Sequence, residues 1–506
     1  MDLPWSAHLP DPSHDWLPAD LATGSLTAAW ARRWTEDPDR PALWAADRGW
    51  VTRRDLERST AAIAGSLRSG GVAPGDRVLV SAASSIELVE SHIGALRAGA
   101  VVVPVHTGYT ERELGHVVAD AEPVVAVLDE PDRLAGVAPD LRVVAPGSGG
   151  DAEPPTDGID IAGPDDPALL PYTSGTTGRP KGVVLRHRNL VAGAAAVVTA
   201  WRWTDADRLV LCLPLFHMHG LGVGIHGTLL SGGSAVILPR FEPEAIFDAA
   251  AEHEATMFFG VPTMYSRLVD HHRVAELGRL RLCVSGSAPL PADLHVALTD
   301  RTGLRVIERY GMTETVMNIS NPHDGDRRPG AVGLPLPGVE ARIGGGGEEG
   351  EIELRGPNVF DGYWARPDAT ADAFTDDGWF KTGDVGTRDA DGYWRIVGRS
   401  KELIISGGFN VFPREVEDVL VEHPAVAEAA VAGTPDAEWG EIVTAIVVTE
   451  AGATIDHDEL RTFCEERLVN YKRPRLVHVV DSLPRNAMGK LVRPDLDALA
   501  RDLAPG

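Results

Sequence analysis

The stretch Tyr172–Gly182, YTSGTTGRPKG, concentrates side chains that suit phosphate. Five hydroxyl residues (Tyr172, Thr173, Ser174, Thr176, Thr177) share eleven positions with three glycines and Lys181. Glycine lets a backbone approach an anion and aim N–H groups at it, hydroxyls donate hydrogen bonds, and lysine adds charge. A Walker loop needs G-x-x-x-x-G-K-[ST]. Here Gly175 and Gly178 stand too close together and Gly182 follows Lys181, so this is a phosphate loop of another kind. Lysine is scarce: of 47 basic residues only Lys181, Lys381, Lys401, Lys472 and Lys490 are lysine, and each is a position to follow. A second polar cluster, FHMHG (216–220), closes an apolar run. Two histidines flanking Met218 suit a pocket wall, whereas a metal site would call for acidic or cysteine partners nearby.

These segments need a scaffold. RVLVSA (77–82), VVVPV (101–105), VVAVLD (124–129), PALLPYT (167–173), RLVLCLPL (208–215), SAVILP (234–239) and RLCVSG (281–286) read as buried strands. Helix-length segments such as 84–99 separate them, which predicts mostly parallel sheets with crossover helices. ARIGGGGEEGEIELRG (341–356) reads as short strands around a glycine turn. From about residue 400 a compact α+β pattern begins. The expected fold is α/β: a large N-terminal domain over 1–398 with a small β-rich region, then a small mobile α+β domain over 399–506.

The chain of 506 residues carries a formal charge of −27, which excludes a nucleic-acid partner in need of a basic face. An acidic protein that binds nucleotides must do so through local cationic clusters. Three widely separated cysteines (Cys212, Cys283, Cys464) suggest a reducing, cytoplasmic setting rather than a disulfide framework. Neither a signal peptide nor membrane insertion is expected.

YTSGTTGRPKG resembles the phosphate loop of the acyl-adenylate-forming enzymes, which include acyl-CoA synthetases, peptide-synthetase adenylation domains and firefly-type luciferases. ERYGMTET (308–315), WFKTGD (379–384), GRSKELIISGGFNVFPREVE (398–417) and LPRNAMGKL (483–491) resemble that family's later segments, in family order. The resemblance implies adenylation of a carboxylic acid with ATP and Mg²⁺, then transfer to coenzyme A. Thr173, Ser174, Gly175, Thr176, Thr177, Gly178 and Lys181 would hold the β- and γ-phosphates. Gly286, Ser287, Ala288 and Pro289 would form the adenine wall, with Glu308, Arg309, Tyr310, Gly311, Met312 and Thr313 completing the ATP site. Glu314, with Thr173, would meet the metal. Asp384 would hold the ribose hydroxyls, with Arg399 on ribose or phosphate. Lys490 would bridge carboxylate and α-phosphate, and His217 would orient reactants near the thiol channel. Lys401 would be the hinge, Gly407 and Gly408 the pantetheine channel, and Lys472 and Arg473 partners of CoA phosphates. Lys381 would only support the Asp384 loop.

A small dicarboxylate requires a short pocket and a fixed cation. Arg240 and Arg281 are the candidates, and Met218 and Met312 would shape the pocket beside the α-carbon. LPLFHMHGL, GVPTMYSRL and GDRRPGAVGLPLPGVE resemble malonyl-CoA synthetases, which points to malonate or methylmalonate. The alternatives are a synthetase for fatty or aromatic acids, a stand-alone adenylation enzyme loading a carrier protein, and a non-enzymatic nucleotide sensor. Retention of Lys490, Glu314 and Asp384 argues against the sensor. His106-Thr107 stands where relatives often carry Asn-Pro.

Overall fold

A computed structural model describes residues 5–150, 158–173, 180–436, 439–485 and 491–503. Ser174, Gly175, Thr176, Thr177, Gly178 and Lys490 lie outside these. The chain divides into two compact units: Met1–Ala341, Leu354–Lys381 and Asp389–Trp394 make the first, and Arg342–Glu353, Thr382–Arg388 and Arg395–Gly506 the second.

In the first unit the apolar runs build two sheets. One has six strands, in the order Leu185–Arg186, Pro167–Leu169, Val101–Pro104, Arg77–Ser81, Val125–Leu128, Val143–Val144. It is parallel except at the Leu185–Arg186 edge. Its central residues, such as Val78, Leu79, Val102 and Val103, are fully buried, hence their unbroken apolar wording. The crossover helix Ile86–Arg97 begins at Ser85, whose hydroxyl accepts the Leu88 N–H. PALLPYT does not stay one strand. Pro167–Leu169 remains in the sheet, while Tyr172–Thr173 leaves it to pair antiparallel with Lys181–Gly182. Pro171 at the break has no N–H with which to continue a ladder.

The second sheet has nine strands, with Ile307–Tyr310, Leu282–Ser285, Met257–Gly260 and Arg208–Leu211 adjacent in that order and mutually parallel. Their carboxyl ends therefore emerge side by side, where ligands bind on open parallel sheets. Gly286–Pro289 follows one of them, Gly311–Thr315 another and FHMHG a third. After FHMHG, His219–Ile225 winds as a π-helix, with Val223 N–H reaching the carbonyl of Met218, five residues back, at 2.8 Å.

In the second unit the hairpin Ile404–Ser406/Phe409–Val411 lies at one side of a sheet with Gly440–Thr449 and Val426–Asp436, and Leu476–Val479 runs parallel to Gly440–Thr449. Val416, Leu420, Val431, Val443 and Leu460 form its core under helix Pro413–Val421. Among the described residues no helix is long and apolar enough to cross a membrane.

Candidate active site

The base of the phosphate loop is a two-rung hairpin in which Thr173 faces Lys181 and Tyr172 faces Gly182. Tyr172 is not one of the hydroxyls turned to a ligand. Its O–H donates to Asp120 Oδ2 at 2.8 Å, and burial with that carboxylate drives its pKa up. The Lys181 ammonium sits 4.8 Å from the ring centre of Tyr363. The Tyr363 O–H donates to Glu314 Oε1 at 3.1 Å. Segment 358–364 clasps the Glu314 segment from behind. Phe360 N–H donates to the Glu314 carbonyl at 2.8 Å, and Asn358 Nδ2 donates to the carbonyls of Thr315 and Met317 at 2.8 and 2.9 Å. Val316, next but one to Glu314, has φ 57° and ψ −76°, a positive-φ conformation that a β-branched residue adopts only under constraint. No sequence signal had singled out Tyr363; its place in NVFDGYW reads as an ordinary turn.

Across the sheet end, Ser287 holds φ +69° and its Oγ lies 3.2 Å from His219 Nδ1. Thus His219, buried, touches the expected adenine wall, while His217 remains half-buried on the same loop. Glu308 does not reach outward with both oxygens: Oε1 accepts the Leu290 N–H at 2.9 Å and ties the 286–290 loop to the neighbouring strand. Tyr310 O–H donates to Met312 Sδ at 3.7 Å. His106 packs against Phe216 with ring centres 4.4 Å apart and planes tilted by 60°, and its Nδ1 accepts the Gly108 N–H, so the departure at 106–107 braces the FHMHG loop.

Arg309 was expected as one residue of the ATP site. Its guanidinium fills the space a side chain at 286 would take: a Cβ on Gly286 would meet Arg309 Cζ at 2.4 Å. Arg309 is 5 % exposed, and its Nε and one terminal nitrogen have no partner among the described residues. Burial alone pulls its pKa down to about 9. A buried guanidinium with open donors is costly unless an anion completes it.

The two arginines expected to face substrate are placed differently. Arg281 grips Asp207 with Nε and a terminal nitrogen, both at 2.6 Å, and also donates to the carbonyls of Trp201 and Arg202. It is a structural cation. Arg240 has an 80 % exposed side chain beside Glu242. Among the described residues Glu244, His271 and His272 have metal-ligand spacing, but Arg273 already holds Glu244 at 2.6 Å.

In the second unit Asp384 is buried, and Arg399 Nε donates to its Oδ1 at 3.1 Å. Gly383, at φ +74°, gives its N–H to Glu351, which sets the turn that presents Asp384. Lys381 lies at the start of the same strand, and Lys401 is exposed on the short helix Ser400–Glu402. Gly407 and Gly408 have φ +58° and +83°, and Gly407 packs under Trp439. Lys472 and Arg473 are not open to a phosphate as drawn from sequence. Lys472 holds both Glu415 oxygens at 2.6 Å, and Arg473 donates to the carbonyls of Leu468 and Glu465.

A family model described as AMP-binding enzyme matches residues 30–364, and its C-terminal domain model matches residues 415–490. The chain belongs to the AMP-binding enzyme family. It is an AMP-forming acid–thiol ligase that works through an acyl adenylate, with ATP and CoA as substrates. A feruloyl-CoA synthase of an Amycolatopsis species is 39% identical over 460 residues, spanning 88% of this chain and 92% of the relative. A sulfoacetate–CoA ligase of Cupriavidus necator is 39% identical over 496 residues, spanning 93% and 96%. ATP-bound MatB of Rhodopseudomonas palustris superposes with a TM-score of 0.89 at 42% identity, covering 94% of this chain and 99% of that one. A malonyl-CoA ligase complex with methylmalonyl-CoA and AMP superposes at 0.66 with 44% identity, covering 88% and 97%. The mixed α/β class and the acyl-adenylate resemblance read from the sequence are both borne out.

Proposed function

We propose that this ligase activates a small acid bearing a second anion, malonate or methylmalonate first, and delivers it to coenzyme A. The observation that carries the reading is Arg309: a buried guanidinium with two open nitrogens, against the loop at Gly286–Pro289. A fixed fork of donors suits a carboxylate. Two of the relatives support it, since sulfoacetate and methylmalonyl groups each carry an anion beside the reacting carbonyl, whereas the feruloyl-CoA synthase is named for an acid without one.

The remaining roles follow the same reading. The 173–181 segment holds the β- and γ-phosphates, and Lys181 contributes charge there. Glu314 and Thr173 offer oxygen donors of the type Mg²⁺ prefers, and the Tyr363 hydrogen bond aims one Glu314 oxygen. When bound, Mg²⁺ would neutralise phosphate charge. Asp384 accepts from the ribose hydroxyls, with Arg399 fixing its carboxylate. Lys490 bridges the reacting carboxylate and α-phosphate as charge develops, a task suited to a flexible point charge. His217 orients the reactants, Lys401 is the hinge about which residues 399–506 reorient against 1–398, and Gly407–Gly408 line the thiol channel.

ATP–pyrophosphate exchange over malonate, methylmalonate, sulfoacetate, propionate, octanoate and ferulate, repeated with CoA, tests this. The expected order puts the dianions first. Arg309→Met should lower kcat/KM for malonate by about 100-fold while changing that for propionate little, because only the dianion loses a buried partner. Equal losses for both acids, or a wild-type preference for octanoate or ferulate, would overturn the assignment. Exchange without any CoA thioester would favour a carrier-protein acceptor.

A further inference from the structure

We infer that Tyr363 is a positioning residue that keeps the phosphate-loop lysine and the Glu314 carboxylate in register; the inference rests on the metal reading of Glu314. Two faces of one side chain are in use. The hydroxyl donates to Glu314 Oε1 at 3.1 Å, and the ring face carries Lys181 Nζ at 4.8 Å. The hydroxyl lies in the ring plane and the cation above it, so the two contacts do not compete.

The backbone around Tyr363 is fastened to both of its clients. On the loop side, Tyr363 forms a bridge with Val183, and Trp364 N–H donates to the Gly182 carbonyl at 2.8 Å. Both rungs fall directly after Lys181. On the Glu314 side, Phe360 N–H holds the Glu314 carbonyl and Asn358 holds Thr315 and Met317. Tyr363 itself is set by its N–H donating to Thr370 Oγ1 at 2.9 Å and by the edge of Phe360, 4.9 Å away. A carboxylate aimed by one charge-assisted hydrogen bond meets a ligand with less reorganisation than a free one. A lysine seated on a ring is likewise pre-placed for phosphate oxygens.

The test compares Tyr363→Phe, Tyr363→Leu and Glu314→Gln by calorimetric binding of α,β-methylene-ATP with and without Mg²⁺, and by the Mg²⁺ dependence of adenylation. Tyr363→Phe keeps the ring, so metal-free binding should be unchanged while the gain in affinity on adding Mg²⁺ shrinks about tenfold. Tyr363→Leu should also weaken metal-free binding, by about threefold, as Lys181 loses its seat. If Glu314→Gln abolishes the Mg²⁺ gain but Tyr363→Phe leaves it intact, the positioning role is wrong and the metal reading stands. If Glu314→Gln itself keeps the full gain, the metal reading fails and the inference goes with it. Equal losses of metal-free binding in the Phe and Leu variants would reduce Tyr363 to a packing residue. The Phe variant carries the decision even if the Leu variant does not fold.

Discussion

Arg281 stands just before, and Arg309 within, two neighbouring parallel strands, Leu282–Ser285 and Ile307–Tyr310, and they differ in what their guanidinium groups are left to do. Arg281 spends its donors on Asp207, which is 4 % exposed, and on two carbonyls. Burial alone would raise the Asp207 pKa, but the hydrogen bonds from Arg281, the Thr204 N–H and Thr256 hold it below the usual carboxylate range. Its stabilising effect is thus fully present above the ordinary carboxylate pKa and is lost as pH falls through the depressed one. Arg281→Met should cost about 3 kcal/mol, because it strands a buried charge, and should move acid unfolding to higher pH. Urea unfolding at several pH values measures both. Substrate preference should not change, in contrast to Arg309→Met, and a malonate-specific loss in Arg281→Met would return that arginine to the pocket.

At the scale of elements, the parallel strands were legible because buried strands read as short apolar runs, and the loops at their carboxyl ends were legible because each is polar and glycine-bearing. The pairing of residues across those loops was not. That Arg309 is buried depends on the missing Cβ at Gly286, just past the neighbouring strand, and no local pattern near 309 records it. The link from Tyr363 to Lys181 and Glu314 joins three segments far apart in sequence. Arg240 and Lys472 were read as ligand cations because exposure and the local supply of carboxylates, Glu242 and Glu415, are properties of the folded surface. The π-helix after FHMHG was also hidden, since its wider turns differ from an α-helix by one residue in hydrogen-bond register. It has a use. A Cβ at Gly222 would meet Met218 Cε at 2.1 Å, so glycine there lets the methionine side chain fold back onto the helix. Gly222→Ala should push that flexible thioether away from the helix and, on the proposed reading, into the α-substituent pocket. The expected result is a folded enzyme whose kcat/KM ratio of methylmalonate to malonate falls by about tenfold. An unchanged ratio would remove Met218 from the pocket wall.

For the molecule as a whole, a charge of −27 repels every anion the reaction uses, so cations must act locally, and buried placement strengthens them where they stand. The same economy of buried polar groups creates an acid liability in the first unit. His8, His92, His187 and His226 are all buried there. Burial, above all, lowers their pKa values to about 4 for His8, about 3 for His92 and about 4 for His187, and well down for His226. His92 and His226 face each other with Nε2 atoms 3.0 Å apart, an arrangement that works for two neutral rings, one donating and one accepting. The unfolded chain protonates these imidazoles near their ordinary pKa, whereas the folded chain does so only far below it. The unfolded state therefore binds more protons across the interval, and stability falls as pH falls through it. Each ring should contribute about 1 kcal/mol of loss between about pH 7 and about pH 5.5, above the range where most carboxylates titrate. Trp30, whose ring lies 5.3 Å from that of His226, is a native reporter. The urea midpoint of tryptophan fluorescence should drop steeply over that interval, and His92→Asn, which cannot ionise, should flatten the drop by the share of one ring. A midpoint independent of pH would mean that the four sites admit protons in the folded state.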